Sequence, residues 1–213
     1  MSRLATAALL LVALATPGAA QSRHDQALAD LRRLDDAEAR RSAVRALGDT
    51  GVMADLPAMV QALRDPDATV RALAETAMWE VWSRSGDAEI DALFARGVEQ
   101  MGQRQLDDAV ATFSRIIARR PDFAEAWNKR ATVYFVLGEY TKSLADCDEV
   151  MARNPYHWGA LSGYGMIYAE LDQPGRAVEY FEKALAVNPN LTSVRQAIET
   201  LKALLLQRRR DMI

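Results

Sequence analysis

Few residues in this chain could do chemistry. His24 and His157 are its two histidines and Cys147 its single cysteine. A metal site would set ligands at spacings such as His-Glu-x-x-His or Cys-x-x-Cys, and neither occurs. A serine nucleophile on a strand-to-helix elbow would read Gly-x-Ser-x-Gly, which is also missing. Asp146-Cys147-Asp148-Glu149 gathers three carboxylates around a thiol, the set that acid–base or thiolate chemistry would use. On a helix, consecutive residues point in different directions, so the four do not converge. Cys147 is expected in the core, where a free thiol behaves as a small hydrophobe, with the carboxylates on a solvated face. Gly159, Gly163 and Gly165 invite a phosphate loop, but they follow a helical pattern where a dinucleotide loop requires a strand.

The elements that would position these residues are set by three prolines. Pro121, Pro155 and Pro189 are 34 residues apart. Each closes a block, 90–123, 124–157 or 158–191, with proline at position 32. Position 4 holds Leu93, Trp127 and Leu161. Position 8 holds Gly97, Ala131 and Gly165. Position 11 holds Gln100, Tyr134 and Tyr168. Position 20 holds Ala109, Ser143 and Ala177, and position 24 holds Phe113, Cys147 and Phe181. Large side chains facing small ones let two antiparallel helices approach closely. The pattern predicts one helix over positions 2 to 14 and another over 18 to 30. Proline cannot continue the second helix, because it lacks an N–H and clashes with the preceding turn.

This helix–turn–helix period resembles the tetratricopeptide repeat (TPR). The middle block carries the fullest match, through Trp127, Ala131, Tyr134, Leu137-Gly138, Tyr140, Ser143 and Pro155. The first block departs at Gln100 and at Arg104-Gln105-Leu106, and the third at Asp172-Gln173-Pro174. The resemblance implies a concave groove lined by positions 2, 5, 9 and 12 of the first helices, with position 6 on its border. In the first block the candidates are Phe94, Val98 and Met101, in the second Asn128, Thr132 and Phe135, and in the third Gly159, Ser162, Gly163 and Met166. Some members of the family hold a terminal carboxylate with Lys, Arg and Asn at such positions. Here only Asn128 and Lys129 are present, and the lining is mostly apolar and small. Gly159 and Gly163 are four apart, on one helix face. They leave a bare strip, for a ligand backbone or for close approach of a following helix near Gln196 and Thr200.

The flanks differ. Residues 1–20 hold one charge, Arg3, then an apolar run from Leu4 to Ala15 and small residues after Pro17. That is the layout of a secretory signal peptide, expected to be cut before Gln21, and the run is short for a membrane span of ~20 residues. No cysteine follows the apolar run, which argues against a lipoprotein anchor. Residues 21–86 read as two helical hairpins, His24–Gly51 and Val52–Gly86. In each, an acidic turn leads into a helix bearing Arg41 or Arg71, and Asp67 is a candidate N-cap. Arg64-Asp65-Pro66-Asp67-Ala68-Thr69-Val70-Arg71 resembles a HEAT-type repeat. Asp87 is the next expected cap, and the hairpins are expected to stack with the TPR units as one continuous solenoid. Residues 192–213 read as a capping helix with a basic tail at Arg208-Arg209-Arg210.

The expected fold is therefore all-α, a helical-repeat solenoid. Without Arg3 the chain has 25 basic and 29 acidic residues, a mild acidity that gives no reason to expect nucleic acid or an anionic membrane. The expected function is that of an exported, non-catalytic adaptor, in the bacterial periplasm or secreted, binding a partner peptide or helix without a cofactor. It would not stay inserted in a membrane once the signal peptide is cut. Tyr156, Trp158 and Tyr164 raise an alternative, stacking on sugar rings of a cell-wall polymer, and a structural spacer is a third.

Overall fold

The computed structural model describes residues 17–211. The first sixteen residues of the expected signal peptide lie outside that range. Among the described residues eleven α-helices follow one another: α1 (Pro17–Asp30), α2 (Ala37–Thr50), α3 (Leu56–Ala62), α4 (Ala68–Trp82), α5 (Ala88–Gly102), α6 (Leu106–Arg119), α7 (Ala124–Val136), α8 (Tyr140–Arg153), α9 (Trp158–Glu170), α10 (Pro174–Val187) and α11 (Thr192–Asp211). No strand occurs among the described residues, and none of their helices is long and apolar enough to cross a membrane.

The pairs α5/α6, α7/α8 and α9/α10 are the three repeat hairpins, and α11 packs on α10. Their close approach has the predicted cause. A Cβ on Gly97 would stand 2.7 Å from the Phe113 ring, and one on Gly165 would stand 2.5 Å from Phe181. The middle hairpin has Ala131 at the small position and the slimmer Cys147 opposite, so the added methyl is matched by a lost ring. The turns within the hairpins are also alike. Gly138 has φ 76°, and its counterparts 34 residues either way, Arg104 and Asp172, adopt φ 58° and 55°. The repeat thus imposes a left-handed residue even where it carries a side chain, at a strain of roughly 1–2 kcal/mol each.

Trp127 packs against the edge of the core rather than within it. It is half-buried, its indole N–H donates to the Pro121 carbonyl, and Arg130 and Arg153 lie over its ring.

Asp36, Asp67 and Asp87 cap α2, α4 and α5, each accepting from the backbone of the first turn. The N-terminal helices are stitched by a buried ion pair between Arg40 and Asp65. Arg40, 2% exposed, donates through Nε and Nη2 to Asp65 at 2.7 and 3.0 Å. Arg41 pairs with Asp67, which holds the Asp67 carboxyl down at about 2, first through Arg41 and then through its capping bonds to Val70 and Thr69.

The expected end-to-end stacking of the two halves does not occur. α4 leads into α5 through a turn at Gly86, φ 77°, without packing on it as the next layer. The N-terminal helices lie instead along the edge formed by the turns between repeats. The Trp82 ring stacks on His157 with centroids 4.4 Å apart, and its centroid is also 4.4 Å from that of Trp158. Trp79 meets Trp158 edge-on. Further along, Arg64 donates to the Ala186 and Val187 carbonyls, and Asn190 donates to the Leu63 carbonyl at 2.8 Å. The physical reason is the pair of tryptophans on α4: the inter-repeat edge offers them an aromatic platform.

Candidate functional site

The first helices of the hairpins, α5, α7 and α9, carry the predicted groove residues. Six of the ten gather around one recess. Asn128, Thr132, Phe135, Gly159, Gly163 and Met166 line a shallow recess of about 40 Å³, floored by Ala131, Ser143 and Cys147. A neighbouring recess shares Phe135 and Met166 and continues to Phe181 and Leu201. Its walls are apolar, and Met166 is 44% exposed.

The other four candidates are placed differently. Phe94 is core: it is 7% exposed and packs against Phe113 and Phe123. Phe123, from the turn after the first hairpin, packs against it with ring centroids 5.3 Å apart. Val98 is exposed and Met101 half-buried on α5, and Ser162 is half-buried on α9. These three do not line the recess.

The two helix glycines separate as well. A Cβ on Gly159 would lie 2.9 Å from the Trp79 ring and 3.0 Å from His157. Gly159 is thus a packing glycine, but its neighbour is α4, not the C-terminal helix that the sequence suggested. A Cβ on Gly163 would meet only the Cys147 sulfur, at an ordinary 3.5 Å. The strip is therefore closed by Trp79 at one end and open at the other.

The polar groups of the groove are already engaged. Glu125 is fully buried. It accepts from His157 Nε2 at 2.7 Å, from Asn128 Nδ2 at 3.0 Å and from Lys129 Nζ at 3.0 Å. The His157 Nδ1 accepts from the Ala160 N–H at the start of α9, which fixes the proton on Nε2 and the imidazole as a donor to Glu125. Burial pushes the Glu125 carboxyl up, and the hydrogen bond from His157, with the charge and hydrogen bond of Lys129, outweighs it, so the group sits below its ordinary value. Lys129 also lies over the Trp79 ring, 5.5 Å from its centroid. Asn128 and Lys129, the two residues suited to a terminal carboxylate, are thus spent on an internal one. A signal for this was present: Glu125, Asn128 and Lys129 stand at i, i+3 and i+4 on one helix face.

The thiol and the carboxylates beside it make no nucleophilic centre. Burial, with Asp146 and Asp148 near, pushes the Cys147 thiol up to about 12, where almost no thiolate forms at neutral pH. Asp146 is not on a solvated face as expected: it is 4% exposed and holds Arg130 through two bonds of 2.7 and 2.8 Å. Asp148 takes the Tyr164 hydroxyl. Among the described residues no group of three or more His, Cys, Asp or Glu is placed to hold a metal. Trp158 and Tyr164, 3% and 4% exposed, have no free face for a sugar ring.

Fold and site together define a helical-repeat protein with a short, apolar concave recess. Tetratricopeptide repeat models match residues 94–157 and 158–191. A TPR repeat-containing protein of Rhizobium etli is 32% identical over 138 residues, which is 65% of this chain and 67% of that protein. The chain belongs to the tetratricopeptide repeat family. It spans far less of other relatives: Tetratricopeptide repeat protein 12 of the mouse is 26% identical over 57% of this chain and 17% of its own length. Among solved structures, the Sgt2 TPR domain from Aspergillus fumigatus has a TM-score of 0.55 at 21% identity, covering 58% of this chain and 83% of that one. The first TPR of Spaghetti (RPAP3), bound to the HSP90 peptide SRMEEVD, has a TM-score of 0.53 at 21% identity, covering 55% and 93%. These likenesses establish the fold.

Proposed function

We propose that this protein is an exported, non-catalytic adaptor whose concave recess receives a segment of a partner protein through apolar side chains. The observation that carries the reading is the open recess at Thr132, Phe135, Gly163 and Met166, apolar, solvent-facing and preformed on rigid helices. The TPR neighbour that holds the HSP90 peptide SRMEEVD supports a peptide as the class of ligand. The engagement of Asn128 and Lys129 by Glu125 favours apolar anchors over an acidic chain end. Residues 21–86 serve, in this reading, as a HEAT-like docking layer that fixes the far end of the groove.

Export rests on the composition of residues 1–20. A fusion of residues 1–25 to a reporter is expected to be translocated and cut near Ala20; a mature protein still carrying Arg3 contradicts it. Binding is tested by pull-down from an envelope fraction with the native chain and with Thr132→Glu/Met166→Glu. The double variant is expected to fold and to lose a protein that the native chain retains. An unchanged set of captured proteins refutes the groove.

A further inference from the structure

The concave recess offers little to a ligand's backbone. Its polar lining is Asn128, Thr132 and Ser143 in the first part and Glu170 and Thr200 in the second. Asn128 Nδ2 donates to Glu125. The three hydroxyls donate to carbonyls of the protein itself: Thr132 to Asn128, Ser143 to Ala131 and Thr200 to Gln196. A peptide lying extended on this surface would turn backbone carbonyls onto it that find no donor, and stripping water from them is costly. An α-helix carries its backbone hydrogen bonds with it and presents only side chains.

The apolar lining has the extent that a helix needs. Thr132 and Phe135 stand on α7, Met166 and Ala169 on α9, and Ala197 and Leu201 on α11. Neighbouring packed helices lie about 8–10 Å apart, so the three span roughly 20 Å, the length of about four helical turns. Leu204, exposed one turn past Leu201, continues the strip on the same face of α11.

One lining residue is charged. Glu170 is exposed and is the last residue of α9, with no basic residue in that turn. The negative end of the helix dipole opposes a carboxylate there. Among the described residues Glu170 makes no ion pair, and cations on the elements around it are committed: Lys142 to Glu139, Lys202 to Glu182 and Arg208 to Asp172. Arg209 and Arg210 stand more than a turn past Leu204, which holds Glu170's repeat position on α11. Glu170 is thus an unmatched negative charge beside an apolar strip.

We propose that the recess takes an amphipathic α-helix of a partner protein, its apolar face laid across α7, α9 and α11 and a lysine or arginine beside that face paired with Glu170. The proposal rests on the recess of the adaptor reading and specifies its occupant.

The test uses three fluorescein-labelled synthetic peptides of about fifteen residues, titrated with the full chain and followed by anisotropy. The first is an alanine-based helix with leucines along one face and a lysine flanking them. The second replaces the lysine with glutamate. The third keeps the leucines and the lysine but carries central prolines that forbid a helix. The lysine helix is expected to bind saturably, the glutamate helix about fivefold more weakly, and the proline peptide not at all. Glu170→Lys, which puts a cation at a helix C-terminus, is expected to fold and to reverse the order of the two helices. Thr132→Glu/Met166→Glu is expected to lose both. A proline peptide that binds as tightly as the lysine helix overturns the proposal. So does an order that Glu170→Lys leaves unchanged, or binding that the double variant retains. No binding by either helix overturns it as well, while the pull-down decides separately whether the recess is used at all.

Discussion

Gly159 and Gly163 stand one turn apart on the same face of α9 and meet opposite surroundings. Gly159 is covered by Trp79 from α4, so that end of the concave face is filled by the chain itself. Gly163 opens onto the recess, with a single sulfur near its missing Cβ. The recess runs along the second and third repeats. What docks at their edge decides how much of it remains for a partner.

The largest effect that would break this comparison comes from removing the docking. Trp82→Ala deletes a buried ring stacked on His157 and is expected to cost about 3–5 kcal/mol in urea unfolding. A loss below about 1 kcal/mol, the scale of a surface change, would mean that the N-terminal helices are not seated on the repeat edge.

Next comes crowding at the closed end. Gly159→Ala forces Trp79 or His157 to move and is expected to destabilise by roughly 1–3 kcal/mol. In a Trp79→Ala background the same change is expected to cost far less, and a double-mutant cycle measures the coupling. Additive losses would place Trp79 elsewhere.

At the open end the sign reverses. Gly163→Ala adds a methyl at ordinary contact distance and relieves a helix glycine, so thermal unfolding is expected to show a gain of about 1 kcal/mol. A loss would mean that Gly163 is a packing glycine after all.

The smallest change expected is in pH. His24 donates to Asp55 at 2.8 Å, and that hydrogen bond raises its value above the ordinary 6.5, against some desolvation. Its contribution is therefore complete below pH 6.5 and is lost as pH rises through the folded value. Stability of the native chain is expected to decline on that alkaline side by more than that of His24→Asn. Parallel curves would remove the His24–Asp55 bond from the account.

The hairpins were legible because they obey local rules. A 34-residue spacing of prolines, small residues facing Phe113 and Phe181, and aspartates at helix starts each act within one or two helices. The docking was not legible, because nothing near Trp79 or Trp82 in sequence names His157 or Trp158 as their neighbours. Phe94 was misplaced for a similar reason: its repeat position faces the groove, but Phe123 folds over it from the next turn. Asn128 lines the recess, but the engagement of Asn128 and Lys129 with Glu125 is not legible in the repeat pattern. A buried carboxylate there depends on His157, 32 residues away.

The central claim is that the concave face is closed at Trp79 and open at Met166. Photo-crosslinking in living cells, from a photoreactive phenylalanine placed at position 79 and separately at 166, followed by mass spectrometry, tests it directly. Position 79 is expected to give only intrachain products, to residues 129 and 157–159, and position 166 to give an adduct with a second protein. Adducts to another protein from position 79, with none from 166, would contradict the account.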